Sequence, residues 1–170
     1  MPFATYFAVN SLNFLNKIVA RDSLPESLKR LRALGPVVFT NGVFDVLHKG
    51  HVTYLAQARE EGASLVLGLN SDRSAARLGK GPDRPLNKQD DRATVLAALE
   101  SVSLVTYFDE DTPLELIQVI RPDILVKGGD YDMEKLKEAQ FVRSYGGAAK
   151  ALTFVTGYST TQLVQKIRAF

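Results

Sequence analysis

Between Val37 and His51 a short apolar run, Val37-Val38-Phe39-Thr40, breaks at Asn41-Gly42 and closes on His48-Lys49-Gly50-His51. A segment of helical periodicity follows, Val52-Thr53-Tyr54-Leu55-Ala56-Gln57-Ala58-Arg59-Glu60-Glu61, stopped by Gly62. Strand, glycine turn and helix in direct succession form half of a parallel crossover unit. Asn-Gly also makes two-residue hairpins, but a hairpin needs a second strand after the turn, and here the pattern is helical. Both histidines of the chain fall at this turn–helix junction.

The rest of the chain repeats the alternation. Asp22-Ser23-Leu24-Pro25-Glu26 reads as a helix start, Leu24, Leu28, Leu31 and Leu34 recur at helical spacing, and Gly35-Pro36 stops them. Ser64–Asn70 is a nearly continuous apolar run, as in a parallel strand covered on both faces. Asn70-Ser71-Asp72 caps a short helix over Arg73–Leu78, and Asn87 is placed as the cap of a helix over Lys88–Ser101. Further strands are expected at Leu104–Phe108, Ile124–Val126 and Ala151–Val155. Helices are expected from a capping box at Thr112-Pro113-Leu114-Glu115 to about Ile120, over Met133–Tyr145, and after Gly157-Tyr158-Ser159-Thr160-Thr161. The prediction is an α/β fold: one doubly wound, five-stranded parallel sheet, Rossmann-like, with right-handed crossovers and helices on both faces. An N-terminal arm and helix over 1–35 precede a single domain over 36–170.

Ligands in such sheets sit at the carboxyl ends of the strands, near the switch in strand order. The polar and glycine-rich segments fall there, at Thr40–His51, Asn70–Asp72, Lys127–Tyr131 and Gly157–Thr161. Asn41-Gly42 lets the backbone turn sharply and exposes amides to a ligand. The helix start that follows offers unpaired N–H groups and a partial positive charge, which suit phosphate. His48 and His51, three apart, share one face and can donate to the same phosphate oxygens, and Gly50 leaves room between them. Two histidines at this spacing could also ligate a metal, but no third ligand clusters with them, so no metal-ligating residues are assigned.

Composition narrows the classes. The net charge of +2 carries no basic block interleaved with aromatics, so no nucleic-acid partner is expected. The chain has no cysteine, which excludes disulfides, thiolate nucleophiles and Cys-ligated zinc and fits a reducing, cytoplasmic setting. No apolar run approaches the roughly 18 residues of a membrane span, and no secretory signal pattern opens the chain.

Thr40-Asn41-Gly42-Val43-Phe44-Asp45 with His48-Lys49-Gly50-His51 resembles the signature of the cytidylyltransferase-like nucleotidyltransferases, marked by a His-any-Gly-His motif. Their second hallmark, a Ser/Thr-rich start to the last helix, matches Ser159-Thr160-Thr161. Within that family the resemblance is nearest to the heptose 1-phosphate adenylyltransferase branch. It rests on Lys17-Ile18-Val19, Lys80–Asn87, Asp91-Arg92, Leu125–Tyr131 and Gly157–Thr161. Val43 departs, standing where this branch usually has cysteine. Ser103-Leu104-Val105-Thr106 stands where glycerol- and choline-type relatives carry an Arg-aromatic-Val-Asp run, which counts against those substrates and for the heptose branch.

The resemblance implies transfer of AMP from ATP to D-glycero-D-manno-heptose 1-phosphate, with ADP-heptose and pyrophosphate as products, in lipopolysaccharide core precursor synthesis. It implies His48, His51 and Lys80 as catalytic residues. Thr40, Asn41, Gly42, Phe44, Gly50, Lys127, Gly128, Asp130, Ser159, Thr160 and Thr161 would bind the nucleotide. Asp45, Arg84 and Arg92 would face the sugar phosphate. Mg²⁺ would be held mainly by the triphosphate, and the chain would form a homo-oligomer. Two other readings stay open: the same fold with another phosphorylated acceptor, such as glycerol phosphate or ethanolamine phosphate, and a nucleotide-binding module without catalysis.

Overall fold

The structure is a computed structural model that describes residues 13–79, 84–153 and 157–169. Lys80, most of the N-terminal arm and the last two residues of the strand expected at Ala151–Val155 lie outside them. Five strands, β1 (Val37–Gly42), β2 (Ser64–Asn70), β3 (Leu104–Phe108), β4 (Ile124–Gly128) and β5 (Ala148–Leu152), form one sheet in the order β3-β2-β1-β4-β5. Every pairing is parallel, with Val38 opposite both Leu65 and Ile124.

The alternation of side chains along β1 divides the apolar residues between two layers. Val38 faces α2 (Lys49–Glu60) and α4 (Gln89–Ala97), packing with Tyr54, Leu55, Ala93 and Leu96. Val37 and Phe39 face α1 (Leu24–Arg32), α5 (Leu114–Ile120) and α6 (Lys137–Ser144), meeting Leu24, Leu28, Ile117 and Val142. All seven residues of β2 are buried, as its continuous apolar run requires. Truncating such a residue, Leu67→Ala for instance, costs about 2–5 kcal/mol. At the outer edge of β3, Ile18 bridges Val105 and Val19 N donates to Val105 O at 2.9 Å, so part of that edge is covered.

Local chemistry accounts for the boundaries that differ from expectation. The helix expected at Met133 begins at Lys137, because Asp132 Oδ1 accepts from Glu134 N at 3.1 Å and holds an Asx turn. Asn87 does not cap α4. Lys88 takes that position, while Asn87 N and Nδ2 both donate to Asp45. The same helix ends at Ala97 rather than Ser101, and Lys17 Nζ donates to the carbonyl of Leu99 beyond it. Thr112 forms no capping box; its Oγ1 accepts from Leu114 N at 3.4 Å, and Pro113 is the N-cap of α5. β5 starts three residues earlier than expected, in register with β4 through Ile124 and Ala148. Ser71 does cap α3 (Asp72–Arg77), its Oγ accepting from Ser74 N.

Candidate active site

From β1 the chain steps outward to β2 and β3, then returns to the other side of β1 for β4 and β5. The connections therefore part between β1 and β4, and a crevice opens at their carboxyl ends. A cleft of about 630 Å³ occupies it. Asn41 from β1 and Lys127 from β4 meet there, with Lys127 Nζ donating to Asn41 Oδ1 at 2.6 Å. Burial holds the Lys127 pKa below the usual lysine range, and the negative charge of Glu138 opposes that shift in part.

The β1–α2 turn is closely built. A Cβ at Gly42 would come within 2.8 Å of the Phe44 ring, so any larger residue there would have to displace that ring. Phe44 takes a left-handed backbone at φ 48°, uncommon for a residue with a side chain, and its buried ring meets His51 edge-on at 5.5 Å. His48 is the N-cap of α2 with extended backbone, and its carbonyl accepts from His51 N at 2.9 Å. This places His51 in the first helical turn. The two imidazoles stack with centroids 3.9 Å apart and 23° between planes, and both line the cleft. Burial lowers the His48 pKa, so at neutral pH its ring is a neutral donor rather than a fixed cation.

The last helix, α7 (Thr160–Arg168), points its start into the same cleft. Ser159 is its N-cap, accepting from Gln162 N at 3.2 Å, so that hydroxyl oxygen already has a structural duty. Thr160 Oγ1 donates to Val46 O at 3.2 Å, which holds the helix start against the β1–α2 turn. Two helix N-termini, each with unpaired N–H groups, therefore flank the histidine pair.

The structure gathers most of the residues singled out in the sequence and sets others apart. Thr40 is fully buried, shares a 2.7 Å hydrogen bond with the Tyr54 hydroxyl, and does not line the cleft. Asp130 is exposed and also off the cleft wall. Asp45 lines the cleft, but its carboxylate accepts from Arg84 Nη1 at 2.7 Å and from Leu86 N and Asn87 N at 2.9 Å. It clamps the segment 84–87. Burial alone would raise its pKa, but the backbone donors of Asn87 and Leu86, followed by Arg84, hold it below the ordinary carboxylate value.

Arg92 departs furthest from its expected place against the sugar phosphate. It is 2% exposed and lies off the cleft. Its guanidinium donates to the carbonyls of Asn87, Val43 and Asn70 and to Asp72 Oδ1, all within 3.0 Å. Four of its five N–H donors are spent on these groups, so Arg92 ties α4 to the ends of β1 and β2 instead.

Several other cleft residues carried no individual role in the sequence reading. Glu138, in the first turn of α6, is buried against the β4 side. Reading a helix from Met133 placed it mid-helix, and nothing in the pattern marked it. Tyr131 lines the same side, and Asn70 and Thr112 the opposite one. Tyr158 sits beside His48, with ring centroids 6.2 Å apart; its place directly before Ser159-Thr160-Thr161 was the available signal.

The pattern of the family described as Cytidylyltransferase-like matches residues 39–166. The chain is 55% identical, over 94% of its length, to D-beta-D-heptose 1-phosphate adenylyltransferase of Bordetella bronchiseptica, and the match covers 99% of that protein. It is 53% identical, again over 94% of its length, to the bifunctional protein HldE of Syntrophotalea carbinolica, of which it covers only 33%. Among solved structures it resembles the lipopolysaccharide core biosynthesis protein of Thermoplasma volcanium, with a TM-score of 0.59 and 26% identity. That match covers 74% of this chain and 99% of the other. Pantoate-beta-alanine ligase of Francisella tularensis, at 11% identity and a TM-score of 0.52, shares the fold over 90% of this chain and 78% of its own.

Proposed function

The chain belongs to the cytidylyltransferase-like family, and we propose that it transfers AMP from ATP to D-glycero-D-manno-heptose 1-phosphate, releasing pyrophosphate and forming ADP-heptose for the lipopolysaccharide core. The stacked histidine pair between two helix N-termini carries the reaction class. The 55% identity to a named heptose 1-phosphate adenylyltransferase, over nearly all of both chains, carries the acceptor.

The chemistry follows from the charges involved. The acceptor phosphate has a second pKa near 6 and is already an anion at neutral pH, so it needs no general base. One of its oxygens attacks the α-phosphorus of ATP, the bond from the α-phosphorus to the bridging oxygen breaks, and pyrophosphate leaves with the electron pair. Catalysis then consists of aligning the anions and stabilising charge on the α-phosphate and the leaving group. In this reading His48 and His51 donate to the α-phosphate, and the start of α7 with Thr160 and Thr161 takes the β- and γ-phosphates. Lys127 supplies charge beside Asn41. Arg84 is the described loop cation that lines the cleft, and we assign it, with Lys80, to the acceptor side.

Mg²⁺ belongs to the same proposal as a charge-neutralising partner of the triphosphate. The donor set suits an ion held by phosphate and water. Among the described residues no group of three or more His, Cys, Asp or Glu is arranged to hold a metal, and the Asp45 carboxylate already faces three donors. The test is a panel of ATP and CTP with Mg²⁺ and phosphorylated acceptors, followed by pyrophosphate release. Release with ATP only when heptose 1-phosphate is present is expected. Turnover with CTP and glycerol phosphate instead would overturn the assignment.

A further inference from the structure

His48 is held in an unusual way for a residue at a helix start. As the N-cap of α2 it makes no side-chain capping hydrogen bond, and its buried Nδ1 has no hydrogen-bond partner among the described residues. No side-chain hydrogen bond from the described residues to this nitrogen fixes the plane of the ring. Two ring contacts from different elements remain. One is with His51 of its own helix, and the other is with Tyr158, just before α7, at 6.2 Å and 27° between planes.

Several features bring Tyr158 to this place. A Cβ at Gly50 would lie 3.0 Å from Tyr158 Cβ and 3.1 Å from the His48 ring, so the glycine is what permits the close approach. Thr160 Oγ1 anchors the start of α7 to Val46 O, which leaves Tyr158 little freedom to swing away. Lys49 Nζ lies 5.8 Å from the Tyr158 ring centroid, within range of a cation–π contact. Although 43% exposed, Tyr158 still lines the cleft.

We propose that Tyr158 is a positioning residue for AMP transfer, its ring fixing the plane of the His48 imidazole and keeping water off it. The proposal rests on the adenylyl-transfer reading and adds a coupling to it. The start of α7, which in that reading meets the β- and γ-phosphates, is the same segment that seats Tyr158 against His48. Capture of the leaving group and orientation of the α-phosphate donor then occur together.

Among the described residues, the titratable groups beside the His48 ring are His51 and the Tyr158 phenol, with Lys49 over the Tyr158 ring, while Asp45 is turned to Arg84, Leu86 and Asn87. With two histidines in the chain, an NMR titration of the imidazole signals of the unliganded protein resolves His48. Wild type and Y158F should titrate below the ordinary histidine value of about 6.5. Y158A admits water, and its His48 should move up toward that value. In steady-state turnover Y158A should lose about tenfold to a hundredfold in kcat, the scale of a misplaced catalytic group, with KM for ATP held, and Y158F should keep wild-type turnover. Y158L, which keeps bulk without the ring, decides the matter if Y158A does not fold. Wild-type titration and turnover in the variant lacking the ring would overturn the proposal, as would a Y158F defect equal to it. The titration needs no turnover, so an error in the acceptor assignment leaves it readable, and wild-type turnover run alongside tests that assignment separately.

Discussion

Lys127 Nζ donates to Asn41 Oδ1 at 2.6 Å, joining the carboxyl end of β4 to that of β1 across the point where the connections part. This bond gives a largely desolvated ammonium an acceptor inside the cleft. The amide oxygen favours the protonated form, against the burial that lowers the Lys127 pKa. Removing it in Asn41→Ala should lower that pKa further, so the alkaline limb of kcat/KM moves to lower pH. Asn41→Asp, which adds a carboxylate, should move the limb up while weakening ATP binding by repulsion. A limb that does not move in either variant would detach Lys127 from nucleotide binding. The lost charge-assisted hydrogen bond costs about 1.5–3 kcal/mol, read as a lower unfolding midpoint.

Asp45 predicts a signature in acid. Its carboxyl is held below the ordinary value, so the stability it contributes is present above its unfolded pKa of about 3.9 and is lost as pH falls through the lower folded value. Asp45→Asn should lose about 2–3 kcal/mol at neutral pH and should show a shallower decline below about pH 4 than wild type. Denaturant melts at several pH values check both. Because the clamp holds segment 84–87, a weaker response to acceptor concentration should accompany the stability loss.

For Arg92 the structure predicts the opposite division between stability and activity. Removing a buried guanidinium takes the donor from three carbonyls, while the partly exposed Asp72 can turn to water, and costs about 2–4 kcal/mol. Arg92→Lys should recover only part of this, since an ammonium lacks the planar fork. Per folded molecule, KM for the sugar phosphate should hold. A selective rise in that KM with unchanged thermal stability would return Arg92 to the acceptor site.

The same residues show where sequence reading reaches its limit. The sheet and its crevice were legible because β1 and β2 carry dense apolar runs that end in polar or glycine residues, and parallel strands must place those ends together. His48, His51, Asn41, Lys127 and Thr160 followed from that rule. Thr40 and Asp45 obey the same rule and Arg92 follows from the resemblance, yet they spend their polar atoms on Tyr54, on segment 84–87 and on strand-end carbonyls. Whether a polar side chain meets backbone or ligand depends on which loop folds over it, and no local pattern records that. β5 was misplaced for a simpler reason. Ala148 and Ala149 carry little apolar signal, and on an edge strand the pairing with β4 sets the register. Glu138 belongs to the site through tertiary packing alone, whereas Tyr158 lies in a segment that the strand-end rule already placed there.

The most direct test is turnover of His51→Ala beside wild type, with ATP, Mg²⁺ and heptose 1-phosphate, following pyrophosphate release while ATP binding is measured separately. If the stacked rings stabilise charge on the α-phosphate, His51→Ala should fold, bind ATP close to wild type, and lose turnover by on the order of 100- to 1000-fold. Turnover unchanged from wild type would contradict the role given to the histidine pair.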